Sequence, residues 1–386
     1  MWFLLLLRLI ISLLLGLVIA RRGLKRGSLS LSGAIAAFFV GSIILFTNLA
    51  MGLSLIIFYL SGSALTRYKE NFKMTVDLDA KKGGGQRNYK QVLCTAGIPT
   101  LVCICLLLIQ KSVFDDGFCL NSLDNDGIRN ALIGMFLGSL CCVAGDTFAS
   151  ELGILSTSEP FLITTLERVP RGTSGGVTLF GFVVSALGGL VVGSVLALDV
   201  LGLRWQLLLT LGANTPKKEC NEWLFLVCML PLIGALMGLL GSVVDSILGA
   251  TVQRTWFDTK AGKVTAEFPE DAVESMEPYA PDILDTVKER DALRAELSEL
   301  KKARALDVDK TSGLRQRIKP TQEVAHHVDD DDVDDENDGV SGTKNSQRIL
   351  VTLGGLPILS NEQVNLASSA FTGMASAALF QRLLLF

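Results

Sequence analysis

Histidine is close to absent from this chain of 386 residues: there are two, His326 and His327, side by side in a polar stretch. Histidine-based catalysis and histidine-rich metal sites are thereby set aside. Cysteine is present but unpatterned. The eight residues (94, 103, 105, 119, 141, 142, 220 and 228) fall mostly in apolar segments and never form two CxxC pairs. That argues against a zinc site or a secreted disulfide scaffold. No GxxxxGKS or GxxxxGKT run occurs, so there is no P-loop. Charge is scarce as well. Only 19% of residues are charged, 49% are hydrophobic, and mean hydropathy is +0.44. A soluble domain of this length does not carry so many uncharged runs, several of which approach the ~18–25 residues that cross a bilayer. Net charge is -4 with much of the acid in one tract, so the overall pI identifies no partner and nothing points to nucleic acid.

What is there is a series of helix-length apolar runs. Residues 1–20 are apolar except for Arg8, and Arg21, Arg22, Lys25 and Arg26 follow. A secretory signal carries its basic residues ahead of the apolar run, so this order predicts a retained helix whose C-terminal end is cytoplasmic. Residues 31–65 contain no charge. As one helix they would extend about 52 Å across a hydrocarbon core of about 30 Å, and the polar pair Thr47-Asn48 lies near the middle. The expectation is a hairpin of helices at 31–46 and 49–65. Further helices are expected at 91–109, 131–155, 174–198, 223–250 and 364–384. The fold class is therefore all-α, a polytopic membrane bundle of about seven or eight transmembrane helices. Eight spans put 21–30, 66–90, 157–173 and 251–350 on the cytoplasmic side. The basic loop 66–90, with seven Lys or Arg against three acids, then lies inside, as charge bias requires.

Residues 1–250 form the first part of the membrane core, 251–350 a hydrophilic insertion, and 351–386 the last helix completing the core. Within the insertion Leu293, Leu297 and Leu300 recur at helical spacing over 283–304, which predicts an exposed amphipathic helix. The acidic tract from His327 to Asp338 reads as a solvated spacer, in preference to a calcium-binding or interaction tail.

This topology brings polar groups from five segments to one membrane face. They are Gln86, Arg87 and Asn88 in the GGGQRN loop; Glu151; Arg168 and Arg171 with the turn Gly172-Thr173-Ser174-Gly175-Gly176; Asp245; and Asn361 with Asn365. Asp146 sits about two turns deeper than Gly153 on the helix that carries Glu151. An acid at that depth is costly and usually serves substrate or ion handling. Asp146 and Glu151 point about 140° apart on an ideal helix, so they share one ion only if the helix breaks or a neighbour contributes. The alternative is that Asp146 meets a buried polar group of another helix. Gly234, Gly238, Gly241 and Ser242 make a small-residue face suited to helix packing. Packing does not account for Asp245, which is either a further ion ligand or the partner of Arg171. The 172–176 turn is either a phosphate cradle beside a hydroxyl and an arginine or an ordinary turn and N-cap. The GGGQRN loop is likewise a linker or a phosphate grip.

Five stretches, in one order, carry a family resemblance: Gly84-Gly-Gln-Arg-Asn88; Ala144-Gly-Asp-Thr-Phe-Ala-Ser-Glu-Leu-Gly153; Leu162-Ile-Thr-Thr through Val169-Pro-Arg-Gly-Thr-Ser-Gly-Gly-Val-Thr178; Gly241-Ser-Val-Val-Asp-Ser-Ile-Leu-Gly-Ala-Thr251; and Asn361 with Asn365-Leu. Together they resemble the transmembrane protein 19 family, also known as a domain-of-unknown-function family. Its plant members include the phytyl-phosphate kinase of the chloroplast envelope. The GD..AS..G pattern with a following basic and glycine-rich segment is also similar to phytol and dolichol kinases. The resemblance implies that Asp146 and Glu151 hold Mg2+ and that Arg168, Arg171 and the Gly172–Gly176 turn hold the transferring or acceptor phosphates, with Asp245 expected as a further ion ligand. Gln86, Arg87, Asn88, Gly172, Thr173, Gly175, Gly176, Asn361 and Asn365 are expected to contact a nucleoside triphosphate such as CTP or the acceptor phosphate. The acceptor would be a membrane lipid of the isoprenoid monophosphate class, in an endomembrane or a plastid envelope. The 251–350 insertion is longer and more acidic than this family pattern. The rival reading is a transporter of a small ion or anionic metabolite, since intramembrane carboxylates and short hairpin helices belong to that class too.

Overall fold

The first 67 residues fold as three helices, α1 (Trp2–Lys25), α2 (Leu31–Thr47) and α3 (Leu49–Arg67). The computed structural model describes residues 2–80, 85–109, 127–211, 217–269, 272–275 and 348–383. The uncharged run breaks at Asn48, as expected. This residue is extended (φ -157°, ψ 134°); its N–H closes α2 on the Ile44 carbonyl, and its side chain accepts from the Met51 N–H at 2.8 Å to cap α3. One polar side chain thus satisfies a helix start in an apolar setting. Both ends of the run come back to one face, where Arg67 donates to the Arg26 carbonyl at 2.6 Å and the Ser28 and Tyr59 hydroxyls meet at 2.7 Å. At the far end Arg8 donates to the Thr47 carbonyl and lies over the Phe46 ring. A cation there complements the unpaired carbonyls that end α2.

After the short α4 (Glu70–Val76), α5 (Tyr89–Ile109) opens on a reciprocal cap. The Gln91 N–H donates to Asn88 Oδ1 at 3.1 Å, and the Asn88 N–H to Gln91 Oε1 at 3.0 Å. The next helix, α6 (Gly127–Gly153), is the axis of the bundle. Its apolar window is 67% buried, against 33–39% for the other four spanning candidates, and Phe136, Leu137 and Leu140 have no exposed surface. A short antiparallel pair, β1 (Phe161–Leu162) and β2 (Gly176–Val177), then leads into α7 (Leu179–Leu211). This helix begins later than the expected residue 174. Gly172 and Gly175 take φ +90° and +78°, which no helix accommodates, and Thr178 supplies the cap by accepting from the Gly181 N–H at 3.0 Å.

Helix α8 (Lys217–Val252) packs against both α6 and α7. Backbones approach closely here: a Cβ on Gly145 would lie 2.4 Å from the Gly238 carbonyl oxygen, and one on Gly189 would lie 2.0 Å from that of Gly234. In lipid, apolar burial gives little drive for helix association, so small residues that bring backbones together carry the packing. Five helical segments are long and apolar enough to cross a membrane: α3, α5, α6, Leu179–Leu198 of α7 and Phe225–Val252 of α8; α2 is a shorter apolar helix. The chain is a polytopic helical membrane bundle. The expected seven or eight spans compare with these five and the shorter α2 among the described residues.

One element escapes the helical expectation. The two ends of the 251–350 stretch pair as a four-stranded sheet of β3 (Thr255–Asp258), β4 (Lys263–Thr265), β5 (Ala272–Glu274) and β6 (Arg348–Gly354), in the order β4-β3-β6-β5. Strand β3 is antiparallel to both neighbours, and β5 runs parallel to β6. Phe257, Val264 and Leu353 give it a small core of its own. The sheet docks on the segment after α4, where the Leu78 N–H donates to the Val264 carbonyl at 2.9 Å and Asp79 accepts from the Ala266 N–H at 2.7 Å. The last helix, α9 (Asn361–Leu383), starts three residues earlier than expected because Ser360 and Gln363 form another reciprocal cap. The amphipathic helix expected at 283–304 and the acidic tract from His327 lie outside the described residues.

Candidate functional site

Where the ends of α3, α6 and α8 meet α4, the 172–176 turn and the sheet, a cavity of about 930 Å³ opens. Of the residues singled out from the sequence, its wall collects Gln86, Arg87, Asp146, Glu151, Arg171, Gly172, Thr173, Gly175, Gly176, Asp245 and Asn361. Three others lie off this wall. Arg168 is exposed and pairs with Glu159 at 3.5 Å. Asn88 is engaged as the cap of α5. Asn365 lines a second, neighbouring cavity, with its Oδ1 buried and without a hydrogen-bond partner.

The two acids of α6 go separate ways, as their angular spacing requires. Glu151 takes Lys73 Nζ at 2.5 Å on one oxygen and the Thr66 hydroxyl at 2.6 Å on the other. Lys73 is itself buried and also donates to the Leu65 carbonyl at 2.7 Å. The charge of Glu151 is therefore met within the protein. Asp146 instead faces Asp245 of α8, carboxyl to carboxyl within hydrogen-bond reach. Asp245 Oδ1 accepts from the Ser368 hydroxyl of α9 at 3.0 Å. Two carboxyl groups in contact need a proton or a cation between them, because bare like charges repel strongly at that range.

The two carboxylates line the polar cavity, and the Ser368 hydroxyl supports Asp245 from behind. Mg2+ takes one or two carboxylates, keeps several waters and completes its shell with substrate phosphates. The residues present fit that ion. Among the described residues no group of three or more His, Cys, Asp or Glu side chains is gathered for a metal, so the remaining ligands fall to water and substrate.

The rest of the wall is mixed in charge, with Lys73, Arg87, Arg171 and Arg254 set among Glu70, Asp77, Asp79, Glu267 and Glu362. The Arg171 guanidinium lies 6.0 Å over the Phe72 ring and donates to the Thr157 carbonyl at 3.2 Å. The turn beyond it is pressed against α8: a Cβ on Gly175 would stand 2.7 Å from the Ser246 carbonyl oxygen, one residue past Asp245. The Thr173 hydroxyl is spent on the Pro170 carbonyl at 2.7 Å, so its part is to shape the turn. Arg87 is fixed by its backbone, with its N–H on the Ser28 carbonyl (3.1 Å) and its carbonyl accepting from the Ser30 N–H (3.0 Å).

Several wall residues carried no weight in the sequence reading. Lys73 is the clearest, and its partner stands 78 residues away, beyond any local pattern. Asp77 is another: burial lifts its carboxyl above the usual range, and neighbouring Asp79 adds to the effect. Arg254 and Trp256 enter from the sheet. Arg254 pairs with Glu274 at 3.5 Å while its Nε is buried without a partner. The Glu274 carboxyl is held below its ordinary range, first by the Thr352 hydroxyl at 2.7 Å and also by the Trp256 indole and Arg254. Here a signal existed. Thr255-Trp-Phe-Asp and Lys263-Val-Thr flank a short Gly-containing connection, which is the pattern of a hairpin.

Comparison with known proteins bears on this arrangement. The profile described as integral membrane protein DUF92 matches residues 14–373. Protein PGR of Arabidopsis thaliana is 39% identical over 262 residues, covering 67% of this chain and 84% of that protein. An uncharacterized membrane protein of Methanocaldococcus jannaschii is 29% identical over 250 residues, covering 64% and 85%. Protein VTE6, chloroplastic, of Arabidopsis thaliana is 26% identical over 245 residues, covering 59% and 67%. No solved structure matches the chain.

Proposed function

The chain belongs to the DUF92 family of integral membrane proteins, and from that premise we propose that it is a membrane-embedded kinase of isoprenoid lipid phosphates. It would transfer a phosphoryl group from a nucleoside triphosphate, CTP among the candidates, to a phytyl or polyprenyl monophosphate. The observation that carries this reading is the Asp146–Asp245 pair facing, within one cavity, Arg171 and the 172–176 glycine turn. The phytyl-phosphate kinase among the family's plant members supports it.

In this reaction an oxygen of the acceptor monophosphate forms a bond to the γ-phosphorus. The bond to the β–γ bridging oxygen breaks, and the nucleoside diphosphate leaves. The acceptor is already an anion, so no general base is needed, and catalysis consists of alignment and charge stabilisation. Asp146 and Asp245 would hold Mg2+, which when bound neutralises nucleotide oxygens. Arg171 and Arg87 draw the phosphates to the wall, and Gln86, Asn361 and the backbone of the 172–176 turn orient them. Glu151 has a supporting part in this scheme: it holds Lys73 and Thr66 in the wall. In the accompanying topology eight helices span the membrane and the mouth lies on the cytoplasmic or equivalent face. The plastid envelope and an endomembrane are the candidate membranes, and the chloroplastic relative supports the first.

A second reading has one observation in its favour. The Asp146–Asp245 pair lies within two membrane-crossing helices, as the coupling site of a carrier does. One experiment separates them. Purified protein is given Mg2+, each labelled nucleoside triphosphate in turn and isoprenoid monophosphates, with Asp146→Asn alongside. Diphosphate made by the wild type and lost in the variant is expected. A folded protein that makes no diphosphate from any pair, yet moves an anion or cation into proteoliposomes, refutes the kinase and establishes the carrier.

A further inference from the structure

Beside the mouth a second cavity, of about 260 Å³, runs between α1, α2, α3, α5 and α6. Its wall is chiefly apolar, with Ile19, Val40, Phe58 and Val92 among the contributors. Arg87, Gln91, Ser150, Glu151, Asn361 and Glu362 belong to the walls of both cavities. The polar mouth and the apolar chamber therefore adjoin, with these side chains between them.

Two details mark the chamber as space kept for an occupant. Gly41, in the interior of α2, lines it, and a Cβ built there would meet nothing within 4 Å. Glycine weakens a helix interior relative to alanine, and here, unlike at Gly145 or Gly189, no neighbouring backbone requires it. The second detail is Asn365 Oδ1, also in the chamber wall, buried and without a partner. Buried acceptors in native proteins are nearly always satisfied, and water ordered by a phosphate head group is the donor that would reach this one.

We propose that the chamber takes the hydrocarbon chain of a single-chain lipid phosphate whose head group is held in the mouth. This deepens the lipid-phosphate reading above and rests on it. The phosphate sits at Arg87 and Asn361, where the two cavities adjoin, and the chain lies along α2 toward Gly41. Ten residues separate Leu31 from Gly41, about 15 Å along the helix. A bulky side chain at position 41 therefore truncates the far end of the chamber and leaves the head-group end intact. Short prenyl chains are tolerated by such a variant and long ones are not.

The test uses the full chain in lipid nanodiscs and reads binding apart from turnover. Cys94 is a free thiol in the chamber wall, and Cys105 is an exposed free thiol outside it. Maleimide labelling of each is followed by peptide mass spectrometry with geranyl monophosphate, geranylgeranyl monophosphate or inorganic phosphate added. Geranylgeranyl monophosphate is expected to slow labelling of Cys94 severalfold and leave Cys105 unchanged, whereas inorganic phosphate protects neither. Gly41→Phe is expected to weaken geranylgeranyl monophosphate binding at least about tenfold while geranyl monophosphate is unaffected, the scale set by excluding a few carbons from an apolar pocket. Gly41→Ala takes up only a methyl's volume and is expected to shift the chain-length preference in the same direction by much less. The chamber is refuted if geranylgeranyl monophosphate binds by native mass spectrometry without protecting Cys94, a measurement made on the unaltered chain. An unchanged chain-length preference in folded Gly41→Phe refutes it equally. Protection and a shifted preference with no diphosphate formed would sink the kinase and leave the chamber standing. Diphosphate formed with an unshifted preference would do the reverse.

Discussion

Two carboxylates on one helix, five residues apart, meet opposite surroundings at the two sides of the mouth. Glu151 lies against a lysine and a threonine that answer it fully. Asp146 lies against another acid, with a hydroxyl bound to that acid as the nearest relief. The first arrangement is complete in the protein alone and holds α3, α4 and α6 together. The second is complete only when something positive arrives. Proximity to a cavity is common to both acids; the state of their partners is what differs.

The largest expected effect breaks this contrast on its functional side. Asp146→Asn or Asp245→Asn should lower phosphoryl transfer by about 10²–10³-fold, the scale for removing one preorganised electrostatic group. In Mg2+-free buffer the same variants should melt no lower than the wild type, since an amide can donate to the remaining carboxylate. A variant that loses its fold together with its activity would show that the pair is structural. On the other side of the mouth, Lys73→Met strands the Glu151 charge and should cost about 3 kcal/mol or more of stability. Adding Glu151→Leu to it should recover most of that loss, as read by thermal melting in detergent. An unchanged melting temperature in Lys73→Met would place the two acids in the same class after all. Next in size, Mg2+ at about one hundred times its dissociation constant should stabilise the wild type by about 2.7 kcal/mol, and this gain should be absent from Asp245→Asn. The smallest effect concerns Asp77 at the rim. Its carboxyl titrates higher in the folded protein than in the unfolded chain, so the folded state binds the extra proton and stability falls as pH rises through that range. Asp77→Asn should therefore be more stable than the wild type at neutral pH, and the gain should vanish as pH falls to the ordinary carboxylate range. A gain that persisted at low pH would have a cause other than this charge.

The features legible in the sequence were those whose cause is local. The break at Asn48 follows from one polar pair in an uncharged run too long for a single crossing, and the small residues around Gly238 declared a packed helix face. Asp245 stood out because packing left it unexplained; its contacts are Asp146 and Ser368, while Arg171 is engaged with Thr157 and Phe72. Nonlocal features were invisible. Lys73 looked like one more charge in a basic loop until α6 delivered Glu151 to it. The sheet was hidden because three of its strands have only three or four residues each and the fourth returns after a gap of more than seventy. Arg168 and Arg171, three residues apart and equal by composition, separate because the β1–β2 pairing turns one to solvent and the other to the cavity.

That sheet has a consequence for how such a chain tolerates change. The polypeptide departs after β5 and comes back at β6, and these strands are parallel neighbours with Ala272 opposite Arg348. The exit and the re-entry are thus about 10 Å apart, three residues of strand. Closing a connection over so short a span costs only slightly more free energy as it lengthens, so the sheet itself sets no particular length for the chain that joins β5 to β6. The strands work as a socket. A connection of any length that starts at β5 and ends at β6 meets the same pair of anchors.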